Sequence, residues 1–271
     1  MKEFLEQYKL DAVLVHTPAN MRNISGFTGE GLVYASKEDA WILTDSRYTI
    51  AAAEESRGFE VLEYKKNIQQ YLVEKIVKEH PELAEKTFRI GFEDAVMTVE
   101  TYRTLEALFE KMNLKQWELV PLHKKLDKMR RIKTPEEIES IKKAEKIGDE
   151  AFTKVTDWLT KCYREKASVT EKQVAAHIEF YMRDAGAEGT SFDTIAASGI
   201  HSSMPHAVPT DKVLEEGDFL TMDFGCLVNG YCSDMTRTIV YGRADEKQKE
   251  IYDIVADCHD LALTHARPGV R

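Results

Sequence analysis

Residues 221–238 read TMDFGCLVNGYCSDMTRT, and the Asn229-Gly230 pair at their centre decides how the rest is read. Asn-Gly between two apolar-patterned runs is the strongest short-range signal for a β-hairpin closed by a two-residue turn. With that turn fixed, Val228 faces Tyr231, Asp234 faces Gly225 and Asp223 faces Thr236. All four of the outer positions share one face, because side chains alternate along a strand. The opposite face of the first strand is Leu220, Met222, Phe224, Cys226 and Val228, all apolar. The two carboxylates are then diagonal neighbours about 7–8 Å apart at the backbone. From that spacing they can lean together to hold two cations about 3.5–4 Å apart. A three-residue loop would instead put them on opposite faces. An ordinary hairpin with one dry and one wet face explains the same pattern. Two features weigh against the ordinary explanation. Both Asp residues are expected in mid-strand, where Asp is disfavoured, and Gly225 leaves room for something to approach Asp234.

Upstream, residues 199–211 read GIHSSMPHAVPTD and offer His201 and His206. Pro205 and Pro209 restrict the backbone, so His206 is expected on a stiff segment. An imidazole beside a metal-bound water or an oxyanion can donate a hydrogen bond or shuttle a proton. A surface histidine in a polar loop is the commoner use of such a residue, and spacing alone leaves both open. His16, His80, His123, His177, His259 and His265 have no metal-spaced partner. No HExxH, GxSxG, phosphate-cradling or dinucleotide-binding glycine pattern occurs.

Working outward, residues 191–198 (SFDTIAAS) read as a strand. Two helices precede it. The first opens at Thr134, with Pro135 at its first position and Glu137 completing a capping box; Ile138, Ile141, Ile147, Ala151, Val155, Trp158 and Leu159 then recur at helical spacing. The second is capped by Thr170, with Glu171 in its first turn, and ends near Gly186. After the hairpin, a last amphipathic helix carries Ile251, Ile254, Val255, Cys258, Leu261 and Ala262. The amino-terminal part alternates strands (LDAVLVHTP, GLVYA, AWILT, FEVLEY, FRIGFE, WELVPL) with helices (IQQYLVEKIVKEH, TYRTLEALFEKM), the pattern of a mixed α/β sheet covered by helices. The basic stretch HKKLDKMRRIK is read as the connector, giving domains at 1–125 and 126–271.

Composition excludes several classes. The 271 residues are 43% apolar and 31% charged, with a net charge of −10 spread along the chain, which disfavours nucleic acid as a partner. Four cysteines without a CxxC pair argue against a disulfide framework or a cysteine zinc site. No apolar run approaches the roughly 18 residues of a membrane helix, and the charged start MKEFLEQYKLDAVLV is unlike a signal peptide. A cytoplasmic protein without a membrane partner is expected.

Taken together, SFDTIAASG, PHAVPT, MDFG and GYCSDMTRT resemble the pita-bread metallopeptidase family, in its Xaa-Pro aminopeptidase and prolidase branch. NISGFTGEG and LTDSRYTIAA are similar to that branch's creatinase-type amino-terminal domain, and RIKTPEEIESIKKA to the start of its catalytic domain. The resemblance covers nearly the whole chain. It implies an α/β creatinase-like domain followed by an α+β pita-bread domain. Asp223 would be a ligand of one metal, Asp234 would bridge two, and His206 would stabilise the scissile peptide region as the tetrahedral intermediate forms. The implied cofactors are two divalent ions, manganese first and cobalt or zinc as alternatives. The implied activity is removal of an N-terminal residue preceding proline, with an Xaa-Pro dipeptidase or a non-catalytic peptide-binding module as alternatives. Peptides with proline second are the implied partners, and a homodimer the implied assembly. The family's site also takes a His and two Glu from further along, which this sequence does not contain. The pita-bread domain is therefore expected to be incomplete here, and the 271-residue chain inactive by itself.

Overall fold

The computed structural model describes residues 1–270. They form two compact units, Met1–Ile132 and the residues from Lys133 on.

The first unit runs α1 (Lys2–Tyr8), β1 (Ala12–Val15), α2 (Pro18–Ser25), β2 (Leu32–Ser36), β3 (Ala40–Thr44), α3 (Thr49–Glu55), β4 (Glu60–Glu63), α4 (Ile68–Glu79), β5 (Phe88–Phe92), α5 (Val99–Lys111) and β6 (Trp117–Pro121). Its strands make one sheet in the order β4-β3-β2-β1-β5-β6. β1, β2 and β3 pair antiparallel, while β3–β4, β1–β5 and β5–β6 pair parallel. The sheet is mixed, as the alternation of strands and helices predicts. Helices cover both faces, and β1 shows it: Ala12 and Leu14 pack with α4 and α5, whereas Val13 and Val15 pack with α1, α2 and α3. A strand buried on both sides has no polar face, which is why these runs read as continuous apolar stretches.

The basic stretch after β6 folds back onto the first unit. Leu126 is buried in its core. Asp127 Oδ1 accepts a hydrogen bond from Asn20 Nδ2 (2.9 Å), and Arg130 Nε donates to Asn20 Oδ1 (2.6 Å). The division thus falls after Ile132 rather than after residue 125.

The second unit comprises α6 (Pro135–Glu165), α7 (Glu171–Asp184), β7 (Gly189–Thr190), β8 (Ile195–Ser198), β9 (Phe219–Phe224), β10 (Cys226–Val228), β11 (Tyr231–Cys232), β12 (Met235–Val240) and α8 (Glu246–His265). The capping box at Thr134 is formed: Thr134 Oγ1 accepts from Glu137 N, and Glu137 Oε2 accepts from Thr134 N. Thr170 and Gln173 build a second box at the start of α7. The strands divide into two small sheets, β12-β9-β8 and β11-β10-β7. Ala144, Ile147, Ala151, Val155 and Leu159 of α6 pack on Leu220, Met222 and Phe224 of β9. At Gly148 the helix comes so close to β12 that an added Cβ would lie 2.5 Å from Met235 Cε. α8 forms where its periodicity predicts, but Ile251, Ile254, Val255 and Leu261 all remain exposed. Among the described residues no helix is long and apolar enough to cross a membrane.

Candidate metal and histidine site

The hairpin adopts the register that Asn229-Gly230 dictates. Both turn residues have positive φ, 49° and 72°, as a type I′ turn requires. Val228 pairs with Tyr231 and Leu227 with Cys232; further down, Phe224 pairs with Met235 and Asp223 with Thr236. The apolar face of the first strand is closed: Leu220, Met222, Phe224 and Cys226 are each 0% exposed. Thr221 and Asp223 occupy the other, half-buried face. There Thr236 Oγ1 donates to Asp223 Oδ1 at 2.9 Å, and the Thr221 and Thr238 hydroxyls lie 3.2 Å apart. Thr221, Thr236 and Thr238 form one wall of a groove of about 610 Å³, with Ile251, Tyr252 and Val255 of α8 on the other.

Asp234 departs from expectation. It is not in mid-strand but in the gap between β11 and β12, exposed, with its backbone N–H 3.4 Å from Glu145 Oε1 of α6. The ladder breaks here because Gly225 is where the chain crosses itself. A Cβ at Gly225 would lie 2.0 Å from the Ser233 carbonyl oxygen and 2.4 Å from Ser191 Oγ. Ser191 Oγ donates to that carbonyl at 2.7 Å, and Ser233 Oγ accepts from Cys226 N at 3.0 Å. The room left by Gly225 is filled by the protein's own backbone, not by a ligand. Asp is disfavoured inside a strand, and at Asp234 the strand is interrupted.

The histidine loop leaves β8 through a 3-10 turn, Gly199–Ser203, and returns toward β9. His206 is exposed, and among the described residues no hydrogen bond or ion pair joins it to Asp223 or Asp234. His201 points elsewhere: its Nδ1 lies 3.0 Å from Glu171 Oε1. Glu171 itself, at the first position of α7, is completely buried and also accepts from Ser198 and Thr210. Burial acts to raise its pKa, but the bonds from Thr210 and Ser198 outweigh burial and bring it down to about 2. Sequence reading gave Glu171 only a place in the first helical turn. Its single visible signal is an acidic residue at a helix start, which does not predict burial.

The Asp223 and Asp234 carboxylates are oxygen donors of the kind that hard divalent cations accept. Donor number is the shortfall: among the described residues, no three His, Cys, Asp or Glu side chains gather so that they could hold a metal ion. The described residues by themselves do not complete a metal centre.

Comparison with known proteins gives the same two-part division. The profile of the creatinase/prolidase N-terminal domain matches residues 1–132, and that of metallopeptidase family M24 matches residues 139–271. An uncharacterized peptidase of Bacillus subtilis is 37% identical over 100% of this chain and 72% of its own length. The Xaa-Pro dipeptidase of Pyrococcus furiosus is 35% identical over 99% of this chain and 71% of its own. Among solved structures, an Xaa-Pro dipeptidase from Bacillus anthracis superposes with a TM-score of 0.82 at 34% identity, covering 94% of this chain and 67% of that one. An X-Pro aminopeptidase from Thermotoga maritima gives 0.84 at 33% identity, covering 98% and 72%. The fold and these matches agree: the chain belongs to metallopeptidase family M24 and carries the amino-terminal domain of creatinases and prolidases.

Proposed function

We propose that this chain carries part of the active site of a metal-dependent Xaa-Pro dipeptidase. The expectation from sequence ranked the aminopeptidase first. Relatives named Xaa-Pro dipeptidase, at 35% identity across 99% of this chain, favour the alternative. In this reading Asp223 and Asp234 would hold divalent metal through their carboxylates, and the metal would supply an activated water and polarise the scissile carbonyl. An all-oxygen pair favours manganese over softer ions. Further donors must come from outside the described residues. His206, held on the surface of the stiff loop, donates a hydrogen bond to the scissile peptide as negative charge builds on its oxygen. The enzyme is cytoplasmic and acts as a homodimer.

The observation that carries this reading is the side chain of Asp223. It stands on the groove-lining face of β9 and is oriented by Thr236, while every neighbour on the other face is buried. Asp on an ordinary wet face has no need of such orientation.

The test begins with the intact mass of the protein purified from its source cells, against the 31.0 kDa of this chain. The same preparation is then given an Xaa-Pro dipeptide and a longer peptide with proline second, both with manganese. Hydrolysis of the dipeptide alone, abolished by Asp223→Asn, is the expected result. Preference for the longer peptide would restore the aminopeptidase. A 31.0 kDa product with neither activity would leave the non-catalytic module.

A further inference from the structure

Glu171 ties both ends of the histidine-bearing loop to one point. Its Oε1 accepts from the backbone N–H and hydroxyl of Ser198, the last residue of β8, at 2.7 and 2.9 Å. Its Oε2 accepts from the backbone N–H and hydroxyl of Thr210, at the far end of the loop, at 3.0 and 2.7 Å. His201 Nδ1 lies 3.0 and 3.2 Å from the two oxygens. An ionised carboxylate only accepts, so that nitrogen carries the proton. The backbone repeats the tie: Glu171 N donates to Lys212 O and Lys172 N to Thr210 O, both at 3.1 Å. Beside it, Lys212 Nζ links Ser198 Oγ (3.0 Å) to Asp218 Oδ2 (2.5 Å).

A buried carboxylate is expensive to keep unless its lone pairs are filled. Here donors from both loop ends and from His201 fill them, and the carboxylate also sits at the positive end of α7. This concentration of bonds has a mechanical result. Residues 199–209 hang between two points pinned to the same side chain, and the two prolines inside limit what remains free. Among the described residues His206 makes no hydrogen bond of its own, so its position is inherited from the pinned ends.

We propose that Glu171 is a positioning residue: its carboxylate clamps residues 198 and 210 together and thereby fixes where His206 is presented. The proposal rests on the reading of His206 given above.

The test is made on the full chain with Glu171→Gln, which keeps volume but replaces an acceptor oxygen by an NH2 group. Amide hydrogen exchange and the imidazole NMR signals of labelled histidine are followed. The expected result is exchange across residues 199–209 faster by about tenfold or more, with β9 and β12 unchanged. The His206 ring signal should move toward that of a histidine in an unfolded peptide. Lys172→Ala, which removes only the exposed Lys172–Asp211 pair joining the same two segments, should change neither readout. If Glu171→Gln does not fold, Thr210→Val decides instead, since it removes one of the five donors and should give a smaller change confined to the same loop. Loop exchange and a His206 signal that stay as in the parent, or loosening spread evenly over the second unit, would overturn the proposal. A peptidase unaffected by His206→Ala would instead sink the functional reading and leave the clamp standing.

Discussion

Asp223 and Thr236 face each other across the β9–β12 ladder, and the threonine hydroxyl donates to the carboxylate at 2.9 Å. The pair is positioned by a turn several residues away, since the Asn229-Gly230 corner sets the register of the hairpin. One hydrogen bond to Oδ1 fixes the carboxylate plane and leaves Oδ2 free of that bond. Orienting partners of this kind change metal affinity about 10–100-fold in other sites. Thr236→Val should therefore weaken manganese binding by the peptidase stripped of its metal by about tenfold, read by calorimetric titration. Its melting temperature should stay close to the parent's, because Thr236 is exposed. Unchanged affinity would show that Thr236 does not orient a ligand.

Gly225→Ala tests the crossing point. A methyl there meets the Ser233 carbonyl carbon at 2.7 Å as well as its oxygen at 2.0 Å, and backbone has little room to retreat. Overpacking of this kind costs about 1–3 kcal/mol, and this position belongs at the upper end because the colliding atoms are main chain. The expected signature is a lower urea midpoint for the second unit. Loss of the Ser191 Oγ to Ser233 O bond should follow, since the methyl occupies its place.

The hairpin was legible because an Asn-Gly turn and an alternating apolar face specify the same register independently. The strands of the first unit were legible from apolar runs bounded by turns. Three things were not. Asp234 leaves the ladder because Ser191, distant in sequence, claims the Ser233 carbonyl, and no local pattern carries that contact. Glu171 looks like an ordinary first-turn acid, and its burial depends on a loop that closes over it from residues 198 and 210. Helices α1, α2 and α3, each of only seven or eight residues, are the third, too short to show a helical period.

The same burial makes Glu171 a source of acid sensitivity. Its carboxyl is held at about 2, below an ordinary value of 4.5. For a depressed carboxyl, the stabilising contribution is present above the unfolded value and disappears as pH falls toward the folded one. Stability of the second unit should therefore decline between about pH 4.5 and pH 2 with one proton of slope due to this residue. Melting curves of Glu171→Gln over that range should be flatter than the parent's, with Ser198, Thr210 and His201 unaltered. Parallel curves would show that the carboxylate is not ionised in the fold.

Glu137 joins two features that the sequence presents separately. Its Oε2 accepts from Thr134 N at 2.6 Å to close the capping box, and its Oε1 accepts from Tyr231 OH at 2.7 Å, one residue past the hairpin turn. The bonds from Thr134 and then Tyr231 pull the carboxyl below its ordinary value. The start of α6 and the tip of the hairpin are thus held through one side chain. Thr134→Ala should destabilise by about 1 kcal/mol, the usual worth of an N-cap. Tyr231→Phe removes a single hydroxyl and should lose about 0.5–1.5 kcal/mol, the net value of one intramolecular hydrogen bond. A double-mutant cycle of Glu137→Ala with Tyr231→Phe isolates their coupling, which should be at least about 0.5 kcal/mol for residues in contact. Thr134→Ala combined with Tyr231→Phe should couple more weakly, because Glu137 stands between the two, accepting from each. Strict additivity in the first cycle would mean that the helix cap and the hairpin are stabilised independently.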